Sequence, residues 1–162
     1  MSMGFGYNAE GVNYLSVDDI IYINEALIKA QTPDEPIRVL NQSNLESSQA
    51  RPSLTRYYEQ TEDMFRLSSV LIESLIQNHP FANANKRTAM MCGYVFLLIN
   101  GYELTAPGDD MVDIASGLAT KNYSCEDLED WLCHWSREYD AAELCNPDFG
   151  KLCCSVIKLK NT

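Results

Sequence analysis

The fold of this 162-residue chain is decided by residues 78–101, which read NHPFANANKRTAMMCGYVFLLING. Pro80 cannot continue a helix, so the helical pattern that precedes it should end near Asn78. A second helical pattern begins near Asn85 and ends at Gly101, whose freedom at positive φ suits a helix C-terminus. Because this second segment is apolar on nearly every side, it predicts a helix buried at the centre of the fold.

Capping and stop signals predict further helices around this centre. Ser16 and Ser124 are each followed by Asp three residues later, a pattern that resembles a capping box. The expected helices run, in chain order, from Ser16 to Thr32, from Asn44 to Ala50 just before Pro52, from Thr61 to Asn78, from Asp109 or Asp110 onward, and from Ser124 onward. The sequence therefore predicts the all-α class, as a compact helical bundle around a central buried helix.

The end of the chain differs from the rest in its pattern. Side chains alternate from Cys153 to Lys160, which predicts a short C-terminal strand. We assign residues 1–138 to one domain and residues 139–162 to a C-terminal extension of unknown role.

The distribution of charge narrows the classes of function. A net charge of -11 argues against a nucleic-acid partner, because a polyanion would be repelled. No acidic residue lies between Glu73 and Glu103, and this stretch contains Lys86 and Arg87. An anion can therefore find one local basic site on an otherwise acidic chain.

Localisation and cysteine chemistry follow from what the sequence lacks. It has no apolar run near the roughly 20 residues that cross a bilayer, and its N-terminus does not resemble a secretory signal. We therefore expect a soluble cytoplasmic protein with no membrane partner, whose six cysteines are reduced thiols. A metal site built from Cys125, Cys133, His134 and Cys145 remains an alternative.

The loop between the third and fourth predicted helices has the residues of a phosphate-transfer site. It ends at a helix N-terminus, where unsatisfied backbone N–H groups favour an anion. Lys86 and Arg87 add positive charge there, while Ala84 and Asn85 allow a close backbone approach. His79, at the start of the loop, is the natural general base near neutral pH.

These residues occur in the order of a known motif. The run resembles the Fic/Doc superfamily signature His-x-Phe-x-acid-Gly-Asn-Gly-Arg, in the Doc form in which Ala and Lys replace the two glycines. The motif residues here are His79, Phe81, Asn83, Ala84, Asn85, Lys86 and Arg87. Leu45 to Pro52 and Phe96 to Tyr102 resemble further family segments, so that the similarity covers roughly residues 14–138.

The resemblance implies a role for each motif residue. His79 would be the general base, and Lys86 and Arg87 would also take part in catalysis. The nucleotide-binding residues would be Ala84, Asn85, Lys86 and Arg87. Asn83 stands where many members have an acidic ligand of Mg²⁺, so we expect weak metal binding here, with Mg²⁺ held mainly by the nucleotide. Phe81 would anchor the loop in the core.

The resemblance also implies a reaction and partners. Met90 replaces the second arginine of members that transfer AMP, which favours the Doc-type transfer of the γ-phosphate of ATP to a Ser or Thr hydroxyl. The implied target is a translation factor similar to elongation factor Tu, and the implied inhibitor is a small antitoxin. An AMP transferase acting on a protein hydroxyl and a non-catalytic binding module remain the alternatives.

Overall fold

The computed structural model describes residues 6–139. The helices of this part are α1 (Val17–Gln31), α2 (Gln42–Glu59), α3 (Met64–Asn78), α4 (Asn85–Ile99), α5 (Gly108–Ala119) and α6 (Cys125–Trp135). Its strands are β1 (Tyr7–Ala9), β2 (Val12–Tyr14), β3 (Tyr102–Leu104) and β4 (Ser136–Glu138). They form two antiparallel pairs, β1 with β2 and β3 with β4. The predicted helical bundle is confirmed, and the strand predicted from Cys153 to Lys160 lies outside the described residues.

Helix α4 forms the centre of the bundle, as predicted from its apolar sequence. Every side chain from Thr88 to Leu98 is buried, and α1, α3 and α5 all pack against this helix. At Gly93 the approach of α3 is so close that a Cβ atom would overlap the Ile72 side chain. Ser68 Oγ also donates to the Gly93 carbonyl at 3.3 Å. The close packing of α3 against α4 therefore fixes the two ends of the loop that joins these helices.

The boundaries of three helices differ from the prediction, and one of these is α5, which begins at Gly108 rather than at Asp109 or Asp110. Helix α2 does not close before Pro52 but continues to Glu59, with the proline inside. Its buried residues recur at helical spacing from Leu45 to Thr55, and their packing against α3 offsets the hydrogen bond that Pro52 cannot donate. Helix α3 begins at Met64 rather than at Thr61, because the Asp63 carboxylate caps its first turn.

The two predicted capping boxes are present. Ser16 begins α1 and Ser124 begins α6, each in reciprocal hydrogen bonds with the Asp three residues later. None of the helices within residues 6–139 has the length and apolar character needed to cross a membrane.

Candidate functional site

Residues 79–84 join the two central helices through a loop with a left-handed residue at each end. His79 is the C-cap of α3, with φ 43° and ψ 57°. Ala84 is the N-cap of α4, with φ 61° and ψ 30°. Positive φ is uncommon for residues other than glycine, and such strain concentrates at functional sites. His79 lies at one end of the loop, with its side chain exposed, and the start of α4 lies at the other end.

The interior of the loop is held by Phe81 and Asn85. The Phe81 ring is buried, with 2% of the residue exposed. Asn85 Oδ1 accepts the Phe81 N–H at 3.0 Å, and Asn85 Nδ2 donates to the Phe81 carbonyl at 2.9 Å. These two bonds leave the second N–H of Asn85 Nδ2 and the main-chain N–H of Asn85 for a ligand.

The start of α4 has the features of an anion site. No side chain caps this helix, and its first internal hydrogen bond runs from the Thr88 N–H to the Ala84 carbonyl at 2.8 Å. The N–H groups of Asn85, Lys86 and Arg87 precede that bond and carry the positive end of the helix dipole. Lys86 is exposed and Arg87 is half-buried, so both add charge where the backbone already favours an anion.

The guanidinium of Arg87 is held by the end of α1 and the segment that follows it. Nη1 donates to Gln31 Oε1 at 3.0 Å and to Thr32 Oγ1 at 3.3 Å, and Nη2 pairs with Glu35 Oε2 at 3.0 Å. The Thr32 hydroxyl and then Arg87 lower the pKa of the Glu35 carboxyl. Glu35 therefore stays charged at neutral pH, and the pairing is lost only when the pH falls through this lowered pKa.

The Arg87–Glu35 pair is open to competition from a ligand. The two side chains are 25% and 38% exposed, and pairs of this kind contribute no more than about 1 kcal/mol. An anionic ligand can therefore compete with the Glu35 carboxylate for Arg87. Sequence reasoning missed Glu35, since it lies 52 residues before Arg87 and belongs to no motif.

The segment before α2 forms a wall beside the loop. The Leu40 and Asn41 N–H groups donate to the Pro80 carbonyl at 2.8 and 3.2 Å, and the Ala82 N–H donates to the Arg38 carbonyl at 2.9 Å. These bonds fix the position of the loop relative to the backbone of residues 38–41. The site is thus confined on this side by main-chain contacts that do not depend on side-chain identity.

The opposite side of the loop is held by Asn24 of α1. This side chain is 1% exposed, and its Nδ2 donates to the Asn83 carbonyl at 2.9 Å and to Thr88 Oγ1 at 3.0 Å. Sequence reasoning also missed Asn24. The available signal was a polar residue within the apolar stripe of α1, because a buried polar group needs partners.

Asn24→Asp should destabilise the protein. The change keeps the shape of the side chain but replaces its N–H donor with an oxygen that faces the Asn83 carbonyl. We expect the free energy of unfolding to fall by about 2–4 kcal/mol, because a buried hydrogen bond is lost and a charge is buried. Urea denaturation measures this effect, and Asp18→Asn on the exposed side of α1 is the matched control. Equal stability of the two variants would contradict the assigned role of Asn24.

The side chains near Asn83 do not by themselves form a magnesium site. Asn83 Nδ2 donates to the Pro36 carbonyl at 2.9 Å, which leaves one neutral oxygen as a ligand. Glu35 is the carboxylate paired with Arg87. Within residues 6–139 no group of three or more His, Cys, Asp or Glu side chains could hold a metal ion. The alternative cysteine site therefore finds no support from its described members, and Cys145 lies outside the described residues.

A small apolar cavity adjoins the anion site. It has a volume of about 110 Å³, lies between α4 and α5, and begins at Lys86 and Arg87. Beyond them the largest side chains that line it are Met90 and Met111. The position one turn after Arg87 is therefore uncharged, and it suits an apolar group better than a phosphate.

Comparisons with known proteins show the family of the chain. A family model described as the Fic/DOC family matches residues 14–97. The chain is 33% identical to the protein kinase doc of Escherichia phage P1 over 86 residues. The matched region covers 53% of this chain and 65% of that protein. It is 30% identical to the toxin Doc of Mycolicibacterium smegmatis over 95 residues. This matched region covers 57% of this chain and 73% of that protein. The match thus spans just under two thirds of the phage protein.

Proposed function

Because the chain belongs to the Fic/DOC family, we propose that it is a Doc-like toxin that transfers the γ-phosphate of ATP to a Ser or Thr hydroxyl of a protein target. The observation that carries this proposal is the uncapped N-terminus of α4, with His79 at the other end of the same loop and Arg87 one turn along the helix. This arrangement offers an anion site beside a general base.

In the proposed reaction, His79 takes the proton of the target hydroxyl as its oxygen attacks the γ-phosphorus. The bond from that phosphorus to the bridging oxygen breaks, and ADP leaves. The N–H groups of Asn85 to Arg87, together with the side chains of Lys86 and Arg87, stabilise the charge on the transferred group. Catalysis of phosphoryl transfer depends mainly on the positioning of the reactants and the stabilisation of charge, so no covalent intermediate with this protein is required.

The environment of Met90 supports γ-phosphate transfer over AMP transfer. Members that transfer AMP use a second arginine at this position, whereas Met90 here is 3% exposed and borders an apolar cavity. A phosphate placed beside Met90 would lose water without gaining a charged partner from the side chain at this position. The name of the phage P1 relative, a protein kinase, agrees with this choice.

We further propose a translation factor similar to elongation factor Tu as the target and a small antitoxin as the inhibitor, with both acting in the cytoplasm. The name of the mycobacterial relative, a toxin, supports an effect on growth. Expression in the native host tests this. We expect the wild-type chain to slow growth and His79→Ala to be harmless. Harmless expression of folded wild-type protein would instead favour a non-catalytic binding module.

We propose that the phosphate donor brings Mg²⁺ with it and that Asn83 offers this ion one neutral oxygen. Asn83→Asp should lower the Mg²⁺ concentration for half-maximal transfer several-fold, because a charged oxygen binds a hard cation better than an amide. Asn83→Ala is the matched control, since it also removes the hydrogen bond to Pro36 but adds no charge. If the two variants show the same Mg²⁺ dependence as the wild type, residue 83 does not contact the metal.

A further inference from the structure

Helices α5 and α6 enclose a groove that the motif loop does not use. It has a volume of about 370 Å³ and shares no residue with residues 79–87 or with the cavity at Met90. Its lining combines aromatic and aliphatic side chains with acidic ones. The apolar lining residues are Ile114, Tyr123, Trp131 and Trp135, and the acidic lining residues are Asp110, Asp113 and Asp127.

The three aromatic side chains of the lining each leave part of their surface exposed. Trp131 and Trp135 are four residues apart on α6 and therefore lie on one face of the helix, where both are half-buried. Tyr123 packs against Gly117, where a Cβ atom would overlap the tyrosine ring. The position of that ring is thus fixed by the fold, although the residue is 45% exposed.

The lining of the groove is acidic. Among the described residues, no Lys or Arg lines it. Within the described part of the chain, the ion pairs do not include Asp110 or Asp113. Asp127 accepts the Ser124 N–H at 2.8 Å. Within residues 6–139, the groove therefore combines π surfaces with carboxylates that form no ion pair with a lysine or arginine.

We propose that this groove binds a cationic segment of a partner protein, with an Arg or Lys side chain on the tryptophan rings and its charge beside Asp110 and Asp113. Tryptophan is the most favourable ring for a cation, and nearby carboxylates add to the attraction. Nucleic acid would be repelled by this surface, and an apolar helix would desolvate the carboxylates without pairing them. The inference does not depend on the reaction at the motif loop.

The two tryptophans of the chain both lie in the groove, so their fluorescence reports on it without a label. The probe is a capped peptide of four arginines, titrated at low ionic strength, with a peptide of four glutamines as the neutral control. We expect a saturable change in tryptophan fluorescence with the arginine peptide and none with the glutamine peptide.

Charge variants distinguish binding in this groove from the nonspecific attraction of a cationic peptide to an acidic protein. Asp110→Asn with Asp113→Asn should weaken binding about tenfold, since two charge contacts to the peptide are lost. Asp18→Asn with Glu46→Gln makes the same change in net charge at exposed positions outside the groove and should alter affinity less than twofold. Equal weakening in both double variants, or no saturable signal in the wild type, would overturn the proposal.

Discussion

Replacing His79 with Ala is expected to lower the rate of phosphate transfer about 10²–10⁴-fold, the usual effect of losing a general base. The free energy of unfolding should change by no more than about 1 kcal/mol, because the His79 side chain is exposed. Single-turnover transfer and urea denaturation of the same preparation measure the two effects. A variant that transfers phosphate at the wild-type rate would contradict the proposed mechanism.

His79→Gly provides the matched control for backbone strain. At a φ of 43°, glycine avoids the steric cost that alanine retains, so this variant should be at least as stable as His79→Ala. Its transfer rate should be equally low. If His79→Gly recovers activity, then the effect of the alanine variant lies in the loop backbone rather than in proton transfer.

Arg87→Leu should give the second large effect, a loss of about 10²–10³ in the rate of transfer. The variant removes the guanidinium charge near the start of α4 while keeping an apolar stem for the adjoining cavity. Arg87→Lys should recover part of the rate, because a lysine restores the charge but not the planar set of donors. Transfer kinetics at saturating ATP measure this series.

Glu35→Gln is the control for the contacts that Arg87 makes within the protein. It removes the ion pair but retains an oxygen that can accept the hydrogen bond. Since an exposed pair is weak, we expect a change in apparent ATP affinity of no more than about fivefold, toward tighter binding. Loss of activity equal to that of Arg87→Leu would show that Glu35 is required to position the arginine.

The parts of the site that are local in sequence could be predicted from it. The motif between Asn78 and Arg87 specified the loop, the helix N-terminus and the family resemblance, which the family model confirms. The apolar sequence of α4 correctly predicted a central buried helix. These features depend on neighbouring residues, so the pattern alone carries the information.

The parts that depend on distant contacts could not be predicted. Glu35 reaches Arg87, and Asn24 reaches Asn83 and Thr88, only because α1 packs against α4. The continuation of α2 through Pro52 has the same origin, since packing against α3 overrides the local stop signal. In each case the outcome depends on tertiary contacts that no local pattern in the sequence contains.

The most direct measurement of the central claim follows two labels of ATP. The protein is incubated with an extract of its native host and with ATP labelled either at the γ-phosphate or at the α-phosphate, and the labelled target is identified by mass spectrometry. We predict γ-phosphate label on a Ser or Thr of the target, release of ADP, and loss of this label with His79→Ala. Label from the α-phosphate on the target, with the mass of an added AMP, would contradict the account.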